Sequence, residues 1–445
     1  MLKIRSFSAL RTALHHSEVA RHVTVLSMGS VLSQLIPIVM SVVLSRLYST
    51  ENYGDFSVFI SVATILSVVV SARYDYAIVR SKNQEEAFSL VLLSGTIAVG
   101  VALVTAFVVG LCYGLRLKGL PVGLGWLPVY TLAIAIFQIA WNYCNYLESY
   151  KRITAALVSR SLAQALSRTL FGVIKYEVGL IVGCVLGVVC GCGVFLSRWK
   201  RTQLPSISNI YVSLKQVGKT YIKFPKYFLF SGLLNTFSTN LPILLFSFFY
   251  SKDNIGLFSM SISILYLPIT MIGNAIGQVF YKKAAVWELD KSRQLAKHFL
   301  RFCALLGLVI FVVLWVGKDG LFALVLGEPW RTCGSYSLIL SPWLLSVLCI
   351  SPLSWIFDVL DKQKTEMYLN IAMFLSRAVV ILGSGFFDFA FETSLFFYSI
   401  VGLLLWIIEG KVIFGLLDMR LSLRQQLALG LCVVVVIVGV VCRLW

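Results

Sequence analysis

Long uninterrupted runs of apolar residues are the feature that most restricts how this chain can fold. Thirteen such runs lie along the 445 residues, each close to the roughly 20 residues that a helix needs to cross a bilayer. Within them apolar and polar residues do not alternate, which excludes a membrane β-barrel. Only 13% of the residues are charged, about half the usual share of a soluble protein. The sequence therefore predicts an all-α polytopic membrane protein.

The first twelve runs divide into two sets of six around one polar segment, residues 198–224. They are expected at 22–46, 54–75, 86–112, 126–148, 154–175, 177–197, 225–250, 255–280, 299–317, 336–357, 366–386 and 393–415. We predict an N-terminal lobe at 22–197, a cytoplasmic linker at 198–224 and a C-terminal lobe at 225–415.

The two ends of the chain are predicted separately. Residues 1–21 are basic but interrupted by polar residues, which favours a cytoplasmic amphipathic arm over a signal peptide. The thirteenth run, 426–442, lies in the C-terminal segment 416–445. It either spans the membrane or lies at its interface.

A ten-residue pattern occurs once in each half. Residues 48–57 read Y-S-T-E-N-Y-G-D-F-S and residues 250–259 read Y-S-K-D-N-I-G-L-F-S. Asn and Gly in such a pattern favour a tight connection with unusual backbone angles, and an acidic neighbour can cap the following helix. Two similar segments at corresponding places indicate an internal duplication, which is common in transporters.

The chain has a net charge of +18, and its basic residues are divided unequally between the two predicted sides of the membrane. With a cytoplasmic N-terminus, the Lys and Arg residues in loops and at span ends divide 26 to the cytoplasmic side and 8 to the other. This bias is the positive-inside rule, and we expect no nucleic-acid partner.

Several spans carry polar residues three or four positions apart, on one helix face. Because such groups are costly against lipid, we expect them to face one another or a water-filled cavity. The predicted substrate-binding amides are Gln138, Asn142, Asn145, Gln164, Asn235, Asn274, Gln278 and Asn370.

Four arginines complete the predicted substrate site: Arg73, Arg160, Arg168 and Arg377. Arg168 and Arg377 lie about 20 Å and about 16 Å into their predicted helices, near mid-membrane. Arginine suits phosphate because its donors form a fixed fork. Deep arginines on corresponding helices of the two lobes therefore predict an anionic, phosphorylated substrate. The alternative is that each arginine binds helix carbonyls or polar neighbours.

Three acids are candidates for ion coupling: Asp75, Asp358 and Glu409. Burial raises the pKa of a carboxyl group, so such a group can carry a proton. Pairing with Arg73 or Lys411 is the alternative role for the first and last of them. No metal site, cofactor or catalytic arrangement is expected, and the ten cysteines fit a role as small apolar residues.

One predicted helix, 177–197, has glycines at every fourth position: Gly179, Gly183, Gly187 and Gly191. Small residues at this spacing allow a second helix to approach closely. The face either packs within its own lobe or forms a dimer contact.

Short segments distributed over residues 20–415 are similar to a known family. They are Leu44-Ser45-Arg46-Leu47-Tyr48-Ser49 through Tyr53-Gly54, Arg73-Tyr74-Asp75-Tyr76-Ala77-Ile78-Val79, Gly327-Glu328-Pro329-Trp330-Arg331 leading to Ser341-Pro342-Trp343, and Ser351-Pro352-Leu353-Ser354 leading to Asp361-Lys362-Gln363-Lys364. Together they resemble the Wzx-type polysaccharide-unit flippases of the multidrug/oligosaccharidyl-lipid/polysaccharide exporter (MOP) superfamily. The thirteenth run departs from the twelve-helix core that is typical there.

This resemblance implies two six-helix lobes in a pseudo-twofold V around a central cavity. It also implies a flippase of the bacterial inner membrane that moves undecaprenyl-diphosphate-linked oligosaccharide from the cytoplasmic to the periplasmic leaflet, driven by an ion gradient. Surface polysaccharide such as the O-antigen of lipopolysaccharide would be the product, with polysaccharide polymerase and chain-length proteins as partners.

Other functions remain open from the sequence. A multidrug/cation antiporter of the same fold would need acids and aromatic residues in its cavity, whereas the deep charges here are basic. A membrane glycosyltransferase or polymerase would need large outside loops or clustered acids, and the longest outside loop predicted is about 318–335. A purely structural scaffold would leave the buried arginines unexplained.

Overall fold

The protein is known from a computed structural model, which describes residues 33–116, 120–197, 210–284 and 289–419. All regular elements in these ranges are helical. The helices are α1 (Ser33–Leu44), α2 (Thr50–Val69), α3 (Tyr74–Ala77), α4 (Gln84–Gly114), α5 (Leu127–Tyr146), α6 (Tyr150–Val173), α7 (Gly179–Ser197), α8 (Ile210–Thr220), α9 (Leu229–Phe249), α10 (Lys252–Ala284), α11 (Leu289–Leu326), α12 (Cys333–Ile350), α13 (Ile356–Val359), α14 (Gln363–Phe386) and α15 (Phe391–Leu416).

Ten helical segments in the described ranges are long and apolar enough to cross a membrane, which makes this a multi-pass membrane protein. They coincide with ten of the twelve predicted core spans. Of the other two, the first is described only as the apolar helix α1. The fifth is present as α6, whose basic residues make it too polar to count among the ten. The arm 1–21 and the run 426–442 lie outside the described residues.

One predicted span ends earlier than expected, and another is interrupted. The second was expected to reach residue 75, but α2 ends at Val69 and the chain turns through Ala72 and Arg73, whose φ angles are positive. The tenth, expected at 336–357, lies within a segment long and apolar enough to cross a membrane, Glu328–Val359, but its α-helix α12 stops at Ile350. Pro352 explains this interruption, because proline lacks the N–H that would continue the helical hydrogen bonding.

The chain divides into two compact units. The first contains residues 1–48 and 58–240, and the second contains residues 49–57 and 241–445. The division between these compact units falls within α9. The lobes at 22–197 and 225–415 and the linker 198–224 stay a prediction. The early part of α9 belongs to the first unit because Gly232 faces the guanidinium of Arg73.

In the first unit, α7 packs closely against α6 through its glycine face. A Cβ atom on Gly187 would overlap the side chain of Gln164, and one on Gly191 would lie 2.7 Å from the ring of Phe137. The face therefore packs within its own unit, as one of the two sequence-based alternatives predicts.

In the second unit, α12 is the central helix, and 14 of its 18 residues are buried. Beside it, aromatic rings from several helices pack edge to face. The ring centroid of Phe246 on α9 lies 5.3 Å from those of Phe258 and Phe391 and 5.9 Å from that of Tyr398. This aromatic cluster joins α9, α10 and α15.

The two copies of the repeated pattern form the first turns of α2 and α10. Ser49 and Asn52 cap α2 reciprocally, and the hydroxyl of Ser251 accepts the Asn254 N–H at the start of α10. Neither pattern glycine has a positive φ, so the predicted tight connection with unusual backbone angles is wrong.

The pattern glycines have a different role in the second unit: they allow α2 and α10 to cross. A Cβ atom on Gly54 would overlap the carbonyl of Lys252, and one on Gly256 would overlap the carbonyl of Thr50. Only glycine permits such an approach of two backbones. We call the segments 50–57 and 252–259 together the repeat crossing.

Candidate substrate and ion-coupling sites

Arg377 lies on α14 in the second unit and is flanked by aromatic rings. Its guanidinium carbon is 4.8 Å from the ring centroid of Trp343 on α12 and 5.5 Å from that of Tyr398 on α15. Tyr266 on α10 stacks on Trp343, with centroids 6.3 Å apart. Cation–π contacts hold a guanidinium in place without neutralising its charge.

The Nε atom of Arg377 is buried and has no hydrogen-bond partner in the described part of the chain. Four ion pairs are found between described residues, and none includes Arg377. A buried N–H without an acceptor costs about 1–3 kcal/mol, and this cost is recovered when an acceptor binds. Among the described residues, the charge of Arg377 is therefore not neutralised by an acid, and its buried Nε lacks an acceptor.

Three of the predicted amides accompany Arg377 in this unit. Asn370 precedes it by seven residues on α14, so the two lie on one helix face, and Asn274 and Gln278 are four residues apart on α10. All three amides are exposed although they lie in spanning helices. Such groups are favourable against water and costly against lipid. Their role in lining a cavity stays a prediction.

The predicted polar residues of α6 lie against α7 in the first unit. The Nε of Arg168 donates to the Leu180 carbonyl at 3.2 Å, and the amide of Gln164 donates to the Cys184 carbonyl at 3.4 Å. Arg160 lies over the ring of Phe137, 5.0 Å from its centroid. Their side chains lie along the glycine face, so all three residues contribute to helix packing.

Arg168 also lies farther along its helix than the sequence predicts. Because α6 begins at Tyr150 and not at 154, Arg168 is 18 residues, or about 27 Å, from its start and five residues from its end. Its predicted depth near mid-membrane stays a prediction. Arg377 lies 14 residues into the 24-residue helix α14, closer to the middle.

Asp75 and Asn142 form a buried polar pair in the first unit. The carboxylate of Asp75 on α3 accepts hydrogen bonds from the Asn142 amide at 3.0 Å and from the Ser71 hydroxyl. Burial raises the pKa of Asp75, and the Ser71 hydrogen bond and the Arg73 charge partly oppose this. An ion-coupling candidate and a substrate-binding candidate are thus in direct contact.

Arg73 follows α2 in the same unit. Its guanidinium carbon lies 4.9 Å from the ring centroid of Tyr76, and its Nε is buried without a hydrogen-bond partner in the described ranges. Gly232 on α9 leaves the space that the guanidinium occupies. Arg73 therefore resembles Arg377 in being held by an aromatic ring with one donor unused.

The other two ion-coupling candidates are in the second unit and differ from each other. Glu409 on α15 is 4% exposed. Asp358 is exposed, and it lies on the short helix α13, at the end of the tenth span.

The remaining predicted amides lie on α5 and α9. The Gln138 carbonyl accepts the Asn142 amide at 3.1 Å, and the Asn145 carbonyl lies in the last turn of α5. Asn235 is exposed on α9. No substrate role is assigned to these residues by their contacts.

Polar contacts at the repeat crossing were not predicted as functional from the sequence. The Lys252 ammonium pairs with the Asp55 carboxylate at 2.9 Å, and the hydroxyls of Ser57 and Ser259 share a hydrogen bond of 2.6 Å. Thr50 also donates to Asp253. The sequence did contain a signal for these contacts, because the two serines occupy the same position of the repeated pattern, 202 residues apart.

Residues 43–335 match the sequence profile of a family described as polysaccharide biosynthesis protein. The chain belongs to this family. The family match includes both helical segments of the repeat crossing and Arg168, whereas Arg377 lies beyond it. No curated protein matches the sequence.

Solved structures with the same fold extend over nearly the whole chain of this family member. An inward-facing multidrug resistance MATE family transporter of the MOP superfamily is 13% identical, with a TM-score of 0.63, covering 87% of this chain and 96% of the other. The lipid II flippase MurJ in an inward closed conformation is 14% identical, with a TM-score of 0.61 and 87% coverage of both chains.

A third similar structure is a MOP superfamily transporter from Pyrococcus furiosus, 13% identical, with a TM-score of 0.52, covering 90% of this chain and 96% of the other. At these identities the likeness establishes the fold. The predicted all-α MOP fold and the resemblance to its polysaccharide branch are confirmed.

Proposed function

We propose that this protein flips a lipid-diphosphate-linked oligosaccharide from the cytoplasmic to the periplasmic leaflet of the bacterial inner membrane by alternating access. The product would serve surface polysaccharide biosynthesis, such as O-antigen of lipopolysaccharide, with polymerase and chain-length proteins as partners. Membership of a polysaccharide biosynthesis family supports this proposal, and so does a fold shared with a lipid II flippase.

The observation that carries the proposal is Arg377. A diphosphate must lose water to cross the membrane, so it needs a fixed positive charge there that can also release it. Arg377 offers a guanidinium held by two rings, a buried Nε without an acceptor and no acidic partner among the described residues. A phosphate oxygen would supply the missing acceptor.

Arg168 has a secondary place in this proposal. Its Nε is engaged by the Leu180 carbonyl, so its contribution to binding is its charge and its other nitrogens. Arg73 and Arg160, each beside an aromatic ring, are further proposed contacts, together with the predicted amides.

The test is a graded series at Arg377, read as transport per molecule in proteoliposomes that contain a lipid-diphosphate oligosaccharide. Removing a charged hydrogen bond costs about 1.5–3 kcal/mol, so we expect Arg377→Ala to lower transport about 10- to 150-fold. Arg377→Lys keeps the charge without the fork and should be intermediate. Arg331, an exposed arginine paired with Glu328, provides the control variant Arg331→Ala.

Two results would contradict this assignment. Unchanged transport per molecule in Arg377→Ala would rule out the proposed contact between Arg377 and the diphosphate. Arg377→Ala protein that is scarce in the membrane but fully active would give this arginine a purely structural role.

Proton coupling through Asp75, Asp358 and Glu409 is proposed as the driving step. Asp75 and Glu409 are buried, and burial raises the pKa of Asp75, which makes its carboxyl group easier to protonate. The triple Asn/Gln variant should lose the pH dependence of transport. If that dependence is unchanged, the coupling uses other groups.

A multidrug/cation antiporter of the same fold is the second candidate, favoured by the buried acid Glu409. An antiporter would bind an organic cation through this carboxylate, and Glu409→Gln would abolish cation uptake. The unneutralised guanidinium of Arg377 in the same unit opposes cation binding, and this favours the flippase.

A further inference from the structure

Four lysines are exposed on α8 and on the segment that directly follows it. Lys215, Lys219, Lys223 and Lys226 are spaced by four, four and three residues, and all four side chains are exposed. None of them pairs with an acid in the ranges that the structure describes. We call these residues the lysine face.

The side opposite the lysine face is fixed to the first unit. Val217 and Phe224 are buried in a cluster with Tyr74, Ala77 and neighbouring residues of α3 and α4. The Tyr74 hydroxyl donates to the Gly218 carbonyl at 3.0 Å. Burial on one side and hydrogen bonding along the backbone prevent α8 from rotating, so its lysines form a fixed array.

Arg80 adds a further positive charge beside the lysine face. Its guanidinium carbon lies 5.8 Å from the ring centroid of Phe224, and its carbonyl accepts the Tyr221 hydroxyl at 3.3 Å. The acid that faces this region is Glu86, whose charge acts on Tyr221. The cations therefore outnumber the acids that act on this region in the described part of the chain.

The lysine face lies where a membrane span begins. The span covers Phe224–Phe249, and α8 ends four residues before it. At the same place Ile222, Tyr227, Phe228 and Phe230 are between 49% and 71% exposed. Exposed apolar side chains at the end of a span suit contact with acyl chains, and the lysines would then lie at the level of the headgroups.

We propose that the lysine face binds the phosphate groups of anionic phospholipids in the leaflet next to α8. Positive charge near the membrane is common on cytoplasmic loops, but a loop need not be ordered to obey that rule. Here two cations lie one turn apart on a helix that is packed into the protein, two more follow within six residues of its end, and apolar side chains are exposed directly beside them. This combination fits a phospholipid, which has an anionic headgroup and acyl chains, and the site is separate from the one proposed for transport.

The test measures binding of short-chain phosphatidylglycerol and phosphatidylcholine to the purified full-length protein in neutral detergent. The variant Lys215→Gln/Lys219→Gln/Lys223→Gln removes three charges, and Lys226 is kept because its ammonium lies 5.5 Å from the Tyr227 ring centroid. Each lysine near a membrane surface contributes about five-fold to anionic lipid binding, so we expect a loss of about 100-fold for phosphatidylglycerol.

The control variant removes three lysines that are equally exposed but lie on different helices: Lys151→Gln/Lys291→Gln/Lys364→Gln. It loses the same net charge and should retain nearly all phosphatidylglycerol binding. The loss in the test variant should also shrink at high salt, because screening weakens exposed charges. If the test variant does not fold, the single change Lys219→Gln should give about a five-fold loss.

Three results would overturn the proposal: equal binding of both lipids by the unmodified protein, equal losses in the test and control variants, or no loss in the test variant. Inorganic phosphate serves as a further arm. If it competes at the same concentration as phosphatidylglycerol, the face binds free phosphate and not a lipid.

Discussion

Replacing Gly54 or Gly256 with alanine tests whether the repeat crossing depends on direct contact between two helix backbones. A Cβ atom at either position would overlap a carbonyl of the other helix, in one case of Lys252 and in the other of Thr50. These are backbone atoms, so no side-chain rotation can relieve the overlap. The helices have to separate, and the change is expected to destabilise the second unit.

The magnitude follows from the geometry. An ordinary Cβ contact begins near 3.4 Å, and both overlaps are far inside it. Relief therefore needs a helix movement of about 1 Å, and overpacking of this kind costs about 1–3 kcal/mol. Gly100 on α4 has no atom within 4 Å of its virtual Cβ, so Gly100→Ala is the matched control with the same gain in helix propensity.

The assay is thermal unfolding of purified protein in detergent. A difference of about 1–3 kcal/mol between the test and control variants corresponds to a gap in Tm of about 2–10 °C. Because one separation of the helices relieves both overlaps, the double variant should cost less than the sum of the two single changes. The reasoning fails if Gly54→Ala and Gly256→Ala have the same Tm as Gly100→Ala, or if the effects of the two changes on stability are additive.

Three further results are expected. Because burial raises the pKa of Asp75, its protonated form stabilises the fold below about pH 4, and that stability is lost as the pH rises through the raised pKa. Asp75→Asn should therefore raise Tm near pH 7.5 and change it little near pH 4. The same shift in Tm at both pH values would contradict the burial argument. In Gly187→Ala the new Cβ atom would meet the Arg160 carbonyl, so this variant should lower Tm by about 2–10 °C relative to Gly193→Ala on the open side of α7. Equal Tm values would show that the glycine face is not needed for α6–α7 packing. Reporter fusions in the linker 198–224 should read cytoplasmic, and a periplasmic signal there would reverse the predicted orientation.

The helices were predictable because each is a continuous apolar run, and eleven of the twelve predicted core spans correspond to helices described over their full length. What the runs did not show is where a helix stops inside an apolar stretch. The turn after Val69 places two residues with positive φ among apolar neighbours, and no glycine marks it. Asp75 therefore moved out of a predicted span.

The candidate site was less predictable, since a stripe of polar residues does not identify what lies opposite it. Arg168 and Arg377 looked alike in the sequence, both deep in a helix without an acid nearby. The difference lies in their neighbours: glycines of α7 let a carbonyl reach Arg168, whereas rings of α12 and α15 face Arg377. Such partners come from segments far away in the chain, so helical periodicity could not separate the two arginines.

The repeat crossing has a consequence for how the two halves of this chain can evolve. Ser57 and Ser259 are the same position of the repeated pattern and bond to each other, as they would across the axis of a symmetric dimer. The ion pair between Lys252 and Asp55 breaks that symmetry. The pair related to it by the two-fold axis would need an acid at position 257, where the second copy has Leu257. Two identical subunits cannot make a contact on one side only. The present pairing thus requires two halves that differ in sequence, and a substitution on either side of it restricts which residues the other half can accept.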